Sequence, residues 1–164
     1  MLTKNFIRYL YGCSDWNQAR SNRQNASVKE LNGDEYTAPI SQQSSYWLRT
    51  YTTEQYNERG AFWLILGDDS TAATADDYKL GNEITGLTPL AGDYIFNLDS
   101  SNGKIRIYRT FANNTDSDIS VSEVGLVVRA STNAGDKNIL IARETSKPIV
   151  IKPGGVQVFG VDIG

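Results

Sequence analysis

Residues 67–80, Gly-Asp-Asp-Ser-Thr-Ala-Ala-Thr-Ala-Asp-Asp-Tyr-Lys-Leu, hold the densest set of groups that could do chemistry. Asp68, Asp69, Asp76 and Asp77 bracket a small, hydroxyl-bearing centre directly after the apolar run Ala-Phe-Trp-Leu-Ile-Leu. Carboxylates at this density can ligate a hard cation, act as acid and base, or accept hydrogen bonds from nearby backbone amides. An EF-hand loop needs oxygen ligands at its first, third and fifth positions, glycine at the sixth and an acid at the twelfth. From Asp68 those later positions hold Ser70, Ala72, Ala73 and Lys79; from Asp69 they hold Thr71, Ala73, Thr74 and Leu80, and neither register fits. An irregular calcium cage built from the four aspartates is the alternative that the residue types leave open. The favoured reading is a shaped connector: Gly67 ends a strand, the short polar side chains bond the backbone, and Asp76 or Asp77 caps a turn whose Tyr78 and Leu80 pin it to the core.

Glu123 is the second group of interest, because it sits inside the apolar strand Ser-Glu-Val-Gly-Leu-Val-Val. An unpaired carboxylate there is costly, so Glu123 is expected to pair with Arg106, Arg129 or Arg143, or with backbone amides; a catalytic acid is the sharper and less favoured alternative. With 19 acidic residues in the chain, some carboxylates will always lie at a glycosidase-like separation, so such pairs carry no information by themselves. The chain has no histidine, which removes the commonest general base, Ser-His and Cys-His nucleophile pairs, and most transition-metal sites. Cys13 is the only cysteine, so it forms no intrachain disulfide, and it reads as a small filler rather than a nucleophile. No cofactor, metal or catalytic residue is assigned.

The elements that must position these groups are mostly strands. Phe6, Ile7 and Leu10 fall at helical spacing in residues 2–12, which predicts a short amphipathic helix or arm. Residues 13–45 are polar and weakly patterned, predicting little regular structure beyond a tight turn at Asn32-Gly33. From Tyr46 onward the chain becomes dense in aromatic and β-branched residues. Strands are predicted near 46–53, 60–66, 92–98, 104–112, 119–129, 138–143, 148–152 and 156–163, with the last two joined as a hairpin by Pro153-Gly154-Gly155. The alternation of Ile105, Ile107, Arg109 and Phe111 against Arg106, Tyr108 and Thr110 marks a sheet with two unlike faces. Short strands with no helices between them predict an all-β fold, an antiparallel β-sandwich of jelly-roll-like type, with an N-terminal arm over 1–45 and the sandwich over 46–164.

A net charge of -3 and the lack of any clustered basic patch argue against nucleic acid as the partner. No apolar run approaches the ~20 residues that span a bilayer, so no membrane partner is expected, and the chain reads as made in the cytoplasm and soluble.

Three stretches in order carry a resemblance: Leu-Gly-Asp-Asp-Ser-Thr-Ala-Ala-Thr-Ala-Asp-Asp-Tyr-Lys-Leu at 66–80, the Asn113-Asn114 turn followed by Glu-Val-Gly-Leu at 123–126, and Leu-Ile-Ala-Arg at 140–143 with Pro-Gly-Gly at 153–155. This order resembles a group of small β-sandwich proteins encoded among bacteriophage virion genes. The resemblance covers roughly the last two thirds of the chain and, more loosely, its start; residues 13–45 have no counterpart in it. It implies a non-enzymatic virion structural protein, a capsid auxiliary or decoration protein or a neck or tail component. Its partners would be other virion proteins and copies of itself. The candidate contact residues are Phe6, Ile7 and Leu10 on the arm, Asp68, Asp69, Asp76 and Asp77 in the loop, and Asn113 and Asn114 at the turn. The alternative is a receptor- or glycan-binding β-module of a phage fibre or adhesin, which would stack sugars on Tyr46, Trp47, Tyr51, Tyr56 or Trp63.

Overall fold

A computed structural model describes residues 1–13, 26–38, 62–91, 95–132 and 135–164. In chain order its elements are α1 (Lys4–Cys13), β1 (Ala26–Lys29), β2 (Glu35–Ala38), β3 (Phe62–Gly67), β4 (Leu87–Pro89), β5 (Ile95–Asp99), β6 (Lys104–Asn113), β7 (Ile119–Thr132), β8 (Gly135–Ile151) and β9 (Val156–Ile163). Alternating apolar side chains give the long strands one face to bury, and two such faces meet. The first sheet has the order β3-β7-β8. The second is centred on β6, which pairs with β5 and β4 at successive stretches of one edge and with β9 along the other. Every strand pair is antiparallel. The chain crosses between sheets at β3 to β4, β6 to β7 and β8 to β9, so strands distant in sequence, β3 with β7 and β6 with β9, become neighbours. The fold is an all-β antiparallel sandwich.

The main core lies between the sheets, with Leu126, Val128, Ile139 and Ile141 from the first packed on Ile107, Phe111, Phe159 and Val161 from the second. A smaller cluster, Ile65, Val127, Leu140 and Leu80, lies on the outer face of the first sheet with Trp63 and Leu31 against it. A β-bulge makes this two-sided arrangement possible. Leu126 pairs with Ala142 while Val127 pairs with Leu140, so Ile141 and Ala142 both turn to the main core. Arg143 is thereby returned to the outer face beside Leu140, where an unbroken period of two would have put it on the opposite face.

The segment expected to have little regular structure does have it over residues 26–38. There β1 and β2 form a hairpin with the register Ala26↔Ala38 to Lys29↔Glu35. The Asn32-Gly33 turn is its nucleus: Gly33 takes φ 93° and the Asp34 amide donates to Asn32 Oδ1 at 2.9 Å. Each strand carries a single large apolar side chain, too few for a periodic signal, yet Val28 is completely buried in the main core. The Asn5 amide clamps the hairpin to α1, donating to Lys29 O at 2.8 Å and accepting from Lys29 N at 3.0 Å. Residues 1–3 line the edge of β8, where the Met1 ammonium donates to Arg143 O at 2.7 Å and Thr3 N donates to Ile141 O at 3.0 Å.

Two strand expectations change. Residues 138–143 and 148–152 belong to one continuous strand, β8. Pro153-Gly154-Gly155 does not close a hydrogen-bonded hairpin, because β8 pairs with β7 and β9 pairs with β6. Asn113 is the reason: its amide donates to Gly155 O at 2.9 Å and its carbonyl accepts from Gly154 N at 2.8 Å, which draws the turn into the second sheet. The strand expected at 46–53 lies outside the described residues.

Candidate functional site

The outer face of the first sheet gathers the groups that the sequence marked as chemical. Glu123, Gly125 and Val127 alternate onto this face of β7, and Gly67 stands opposite Glu123 on β3. Glu123 is 1% exposed. Its Oε2 accepts from Arg143 Nε at 2.8 Å, from Arg143 Nη2 at 2.7 Å and from the Gly81 amide at 3.1 Å, while Oε1 accepts from the Asn82 amide at 2.9 Å. Of the three arginines expected as partners, Arg143 is the one that pairs; Arg106 bonds Asp162, and Arg129 lies 3.9 Å from Asp136.

Arg143 also reaches the aspartate loop. Its Nη1 donates to Asp77 Oδ2 at 2.9 Å and its Nη2 to Asp69 Oδ2 at 3.4 Å. Asp69 accepts from the Thr71 amide and hydroxyl, and Asp77 from the Thr74 amide and hydroxyl. The Thr71 amide, its hydroxyl and then Arg143 hold Asp69 below its ordinary pKa. Burial opposes ionisation of Asp77, but the Thr74 and Arg143 bonds together outweigh it and its pKa is lowered too. Asp68 accepts from the Asn82 side-chain amide, and Asp76 pairs with Lys4 Nζ at 2.6 Å. The four carboxylates are therefore directed at an arginine, a lysine, an asparagine, threonine hydroxyls and backbone amides. This is the arrangement of a connector held in shape.

Sterics seal the arrangement. A Cβ on Gly67 would collide with the Glu123 carboxylate and Asn82 O, and one on Gly81 would collide with the Asp69 carboxylate. Leu80, 3% exposed, belongs to the outer cluster and lies over Gly125, whose lack of a Cβ makes room for it. Tyr78 packs towards the hairpin, with Lys29 Nζ 4.1 Å from its ring centroid.

The candidate contact residues separate on burial. Phe6 lies in the main core, whereas Ile7 on the same helix is 62% exposed; Leu10 lies in α1. Asn113 is wholly buried, a correction to its choice as a contact residue. Its side-chain amide donates to Ser117 O and Ile151 O, both at 2.8 Å, and its Oδ1 accepts from the Thr115 amide and hydroxyl. It is the corner post of the sandwich, and Asn114 beside it is exposed. Asp77 is spent on Arg143, while Asp68 and Asp76 remain exposed.

Sequence reasoning missed the second sheet's outer face. Its rows run Thr88–Ala112–Val156, then Thr110–Val158 with Leu90 alongside, then Tyr108–Gly160, then Asn97–Arg106–Asp162. One end is apolar, with Val156 60%, Val158 48% and Leu90 40% exposed; the other is charged, and Arg106 and Asp162 form a bidentate pair there at 2.6 and 2.9 Å. A groove of about 380 Å³ lies between them, lined by Tyr108, Glu144, Val158, Gly160 and Asp162 among others. The available signal was Val156 and Val158 in alternation with Phe159 and Val161, two apolar sets on opposite faces of one strand.

Trp63, the described member of the aromatic set, is half-buried against the outer cluster; Tyr46, Trp47, Tyr51 and Tyr56 lie outside the described residues. Trp63→Ala is therefore expected to destabilise the fold by ~2 to 4 kcal/mol, read as a lower denaturant midpoint. A variant of unchanged midpoint would return Trp63 to the set of free stacking residues.

Compared with protein-family models, with curated proteins and with solved structures, the chain matches none.

Proposed function

We propose that this protein is a non-enzymatic structural component of a bacteriophage virion, a capsid auxiliary protein or a neck or tail component, acting through contacts with other virion proteins and with copies of itself. The observation that carries the protein-contact part is the apolar end of the second sheet's outer face. Val156, Val158 and Leu90 stand exposed on a rigid, hydrogen-bonded strand platform, the kind of preorganised apolar surface that binds a neighbour at low entropic cost. The groups best suited to catalysis support the same reading, since Glu123 and Arg143 are committed to holding the loop. The virion part rests on the resemblance of the loop, the Asn-Asn turn and the final Leu-Ile-Ala-Arg and Pro-Gly-Gly stretches. Neither nucleic acid nor membrane is a partner in this reading.

Immunogold electron microscopy of gradient-purified particles, with antibody against this chain, tests it. Label on head, neck or tail is the expected result and fixes the location. Particles that carry no label, and whose digests contain no peptide of this chain, would overturn it.

A further inference from the structure

The edge of β9 facing away from β6 has a different chemistry at each end. Asn113 N bonds Gly155 O, and the register pairs Phe111 with Gln157 and Arg109 with Phe159, so the odd-numbered residues of β9 turn their backbone groups to β6. The backbone groups of Val156, Val158, Gly160 and Asp162 consequently point outward. Asp162 N is already satisfied, donating to Glu144 Oε1 at 2.7 Å. Gln157 Nε2 reaches Val158 O at 3.4 Å, a long bond at an exposed position. No strand among the described residues other than β6 pairs with β9. Val156 to Gly160 is thus an edge whose outward backbone groups, Val158 O apart, have no hydrogen-bond partner among the described residues, and it carries two exposed valines, the combination that invites a further strand.

The groove at the end of this edge states what that strand should carry. Glu144, Asp162 and Arg106 line it. Arg106 is matched by Asp162 in a two-bond pair and acts on Glu144 only as a more distant attractive charge, so Glu144 has no direct ion pair among the described residues. Glu144 Oε1 is occupied by the Asp162 amide, and Oε2 has no hydrogen-bond partner among the described residues. An acidic groove at the end of an apolar edge is complementary to an extended segment with apolar residues followed by a lysine or arginine.

We propose that β9 from Val156 to Gly160 is a docking edge for an extended strand of a partner protein, added by backbone pairing, with a basic side chain of that strand seated against Glu144. The proposal deepens the protein-contact reading above and rests on it for the class of partner. A second copy fits less well, since β9 itself carries no basic residue to offer.

The test uses the intact chain, a capped heptapeptide of alternating valine and threonine with one lysine, and the same peptide with glutamate in place of lysine. Amide hydrogen exchange is read residue by residue. With the lysine peptide at about ten times its dissociation constant, the Val156, Val158 and Gly160 amides should exchange about tenfold more slowly, as the free fraction falls by that factor. The glutamate peptide should bind at least about tenfold more weakly, the cost of like charges at the groove. Val158→Pro removes an N–H that the β6 ladder does not use and should abolish the protection. Should that variant lose its fold by melting, Val158→Lys places a charge on the edge and should weaken binding instead. The proposal is overturned by unchanged exchange at those amides with the lysine peptide, by equal binding of both peptides, or by protection that rises with protein concentration alone, which would assign the edge to a second copy. Particle labelling is independent of this result: a chain absent from particles that still binds the lysine peptide would sink the virion reading and leave the docking edge standing.

Discussion

Arg143→Met is expected to cost ~4 kcal/mol of folding stability, a large share of the ~5 to 15 kcal/mol that holds a domain together. Methionine replaces most of the arginine stem, so the loss is one of charge and hydrogen bonds rather than volume. Glu123 then keeps its two backbone donors but loses its counter-charge at a site that is 1% exposed. Asp77 and Asp69 lose the guanidinium that joins the loop to the sheet. Pairing Arg143→Met with Glu123→Gln should recover part of the loss, since an amide needs no counter-charge; the coupling is measured by a double-mutant cycle in denaturant. A single-variant loss below ~1 kcal/mol would mean that the cluster is solvated and does not hold the loop.

The same cluster sets a pH dependence. Asp69 and Asp77 have folded-state pKa values below the ordinary 3.8, so they bind protons less readily when folded than when unfolded. Their contribution is complete above that ordinary value and is lost as the pH falls through the lower folded values. Glu83 works in the opposite sense. Loss of solvation and the nearby Glu123 charge raise its pKa above 4.5, so its ionisation costs stability and the cost is relieved on mild acidification. The wild-type unfolding midpoint should therefore drop once the pH passes below the aspartates' ordinary value. Arg143→Met should show a shallower drop, because Thr71 and Thr74 still lower the two pKa values but the arginine no longer does.

How much of this was legible in the sequence follows from the range of the interaction concerned. β9 matches its expected span of 156–163, because alternation and a Pro-Gly-Gly boundary are local signals. The partner set of Glu123 could be written down for the same reason: a carboxylate in an apolar strand must find donors. Choosing Arg143 from three arginines could not, since parity puts Arg143 on the wrong face unless β8 is bulged at Ile141, and nothing in Leu-Ile-Ala-Arg announces a bulge. Asn113 shows the converse error. Asn-Asn reads as an exposed turn, yet the first asparagine is buried because its side chain ties its own turn, at Thr115 and Ser117, to the backbone of Ile151 thirty-eight residues away. Val28 was invisible because one apolar residue in a polar stretch has no period.

Gly67→Ala is expected to destabilise by at least ~3 kcal/mol, although alanine is ordinarily the better strand residue, because it both overpacks the site and breaks a buried ion cluster. Gly67 does not have a positive φ, so the requirement is for space rather than for an unusual backbone angle. The new methyl would meet Glu123 Cγ at 2.5 Å and Asn82 O at 2.6 Å, as well as the Glu123 carboxylate itself. None of these can withdraw freely: Glu123 is held by Arg143 and two amides, and Asn82 O accepts the Asp68 amide. Relief requires the loop to lift, which breaks the Glu123 bonds to Gly81 and Asn82 and uncovers Leu80. Gly103→Ala separates this cause from backbone strain. Gly103 has φ 64° and open space where a Cβ would stand, so alanine there should cost only ~1 kcal/mol. Denaturant midpoints and limited proteolysis distinguish the outcomes: Gly67→Ala should be cut within residues 68–86 under conditions that leave Gly103→Ala intact. Equal costs for the two variants, with no new cleavage in the loop, would show that the aspartate connector is not fastened to the sheet through Glu123.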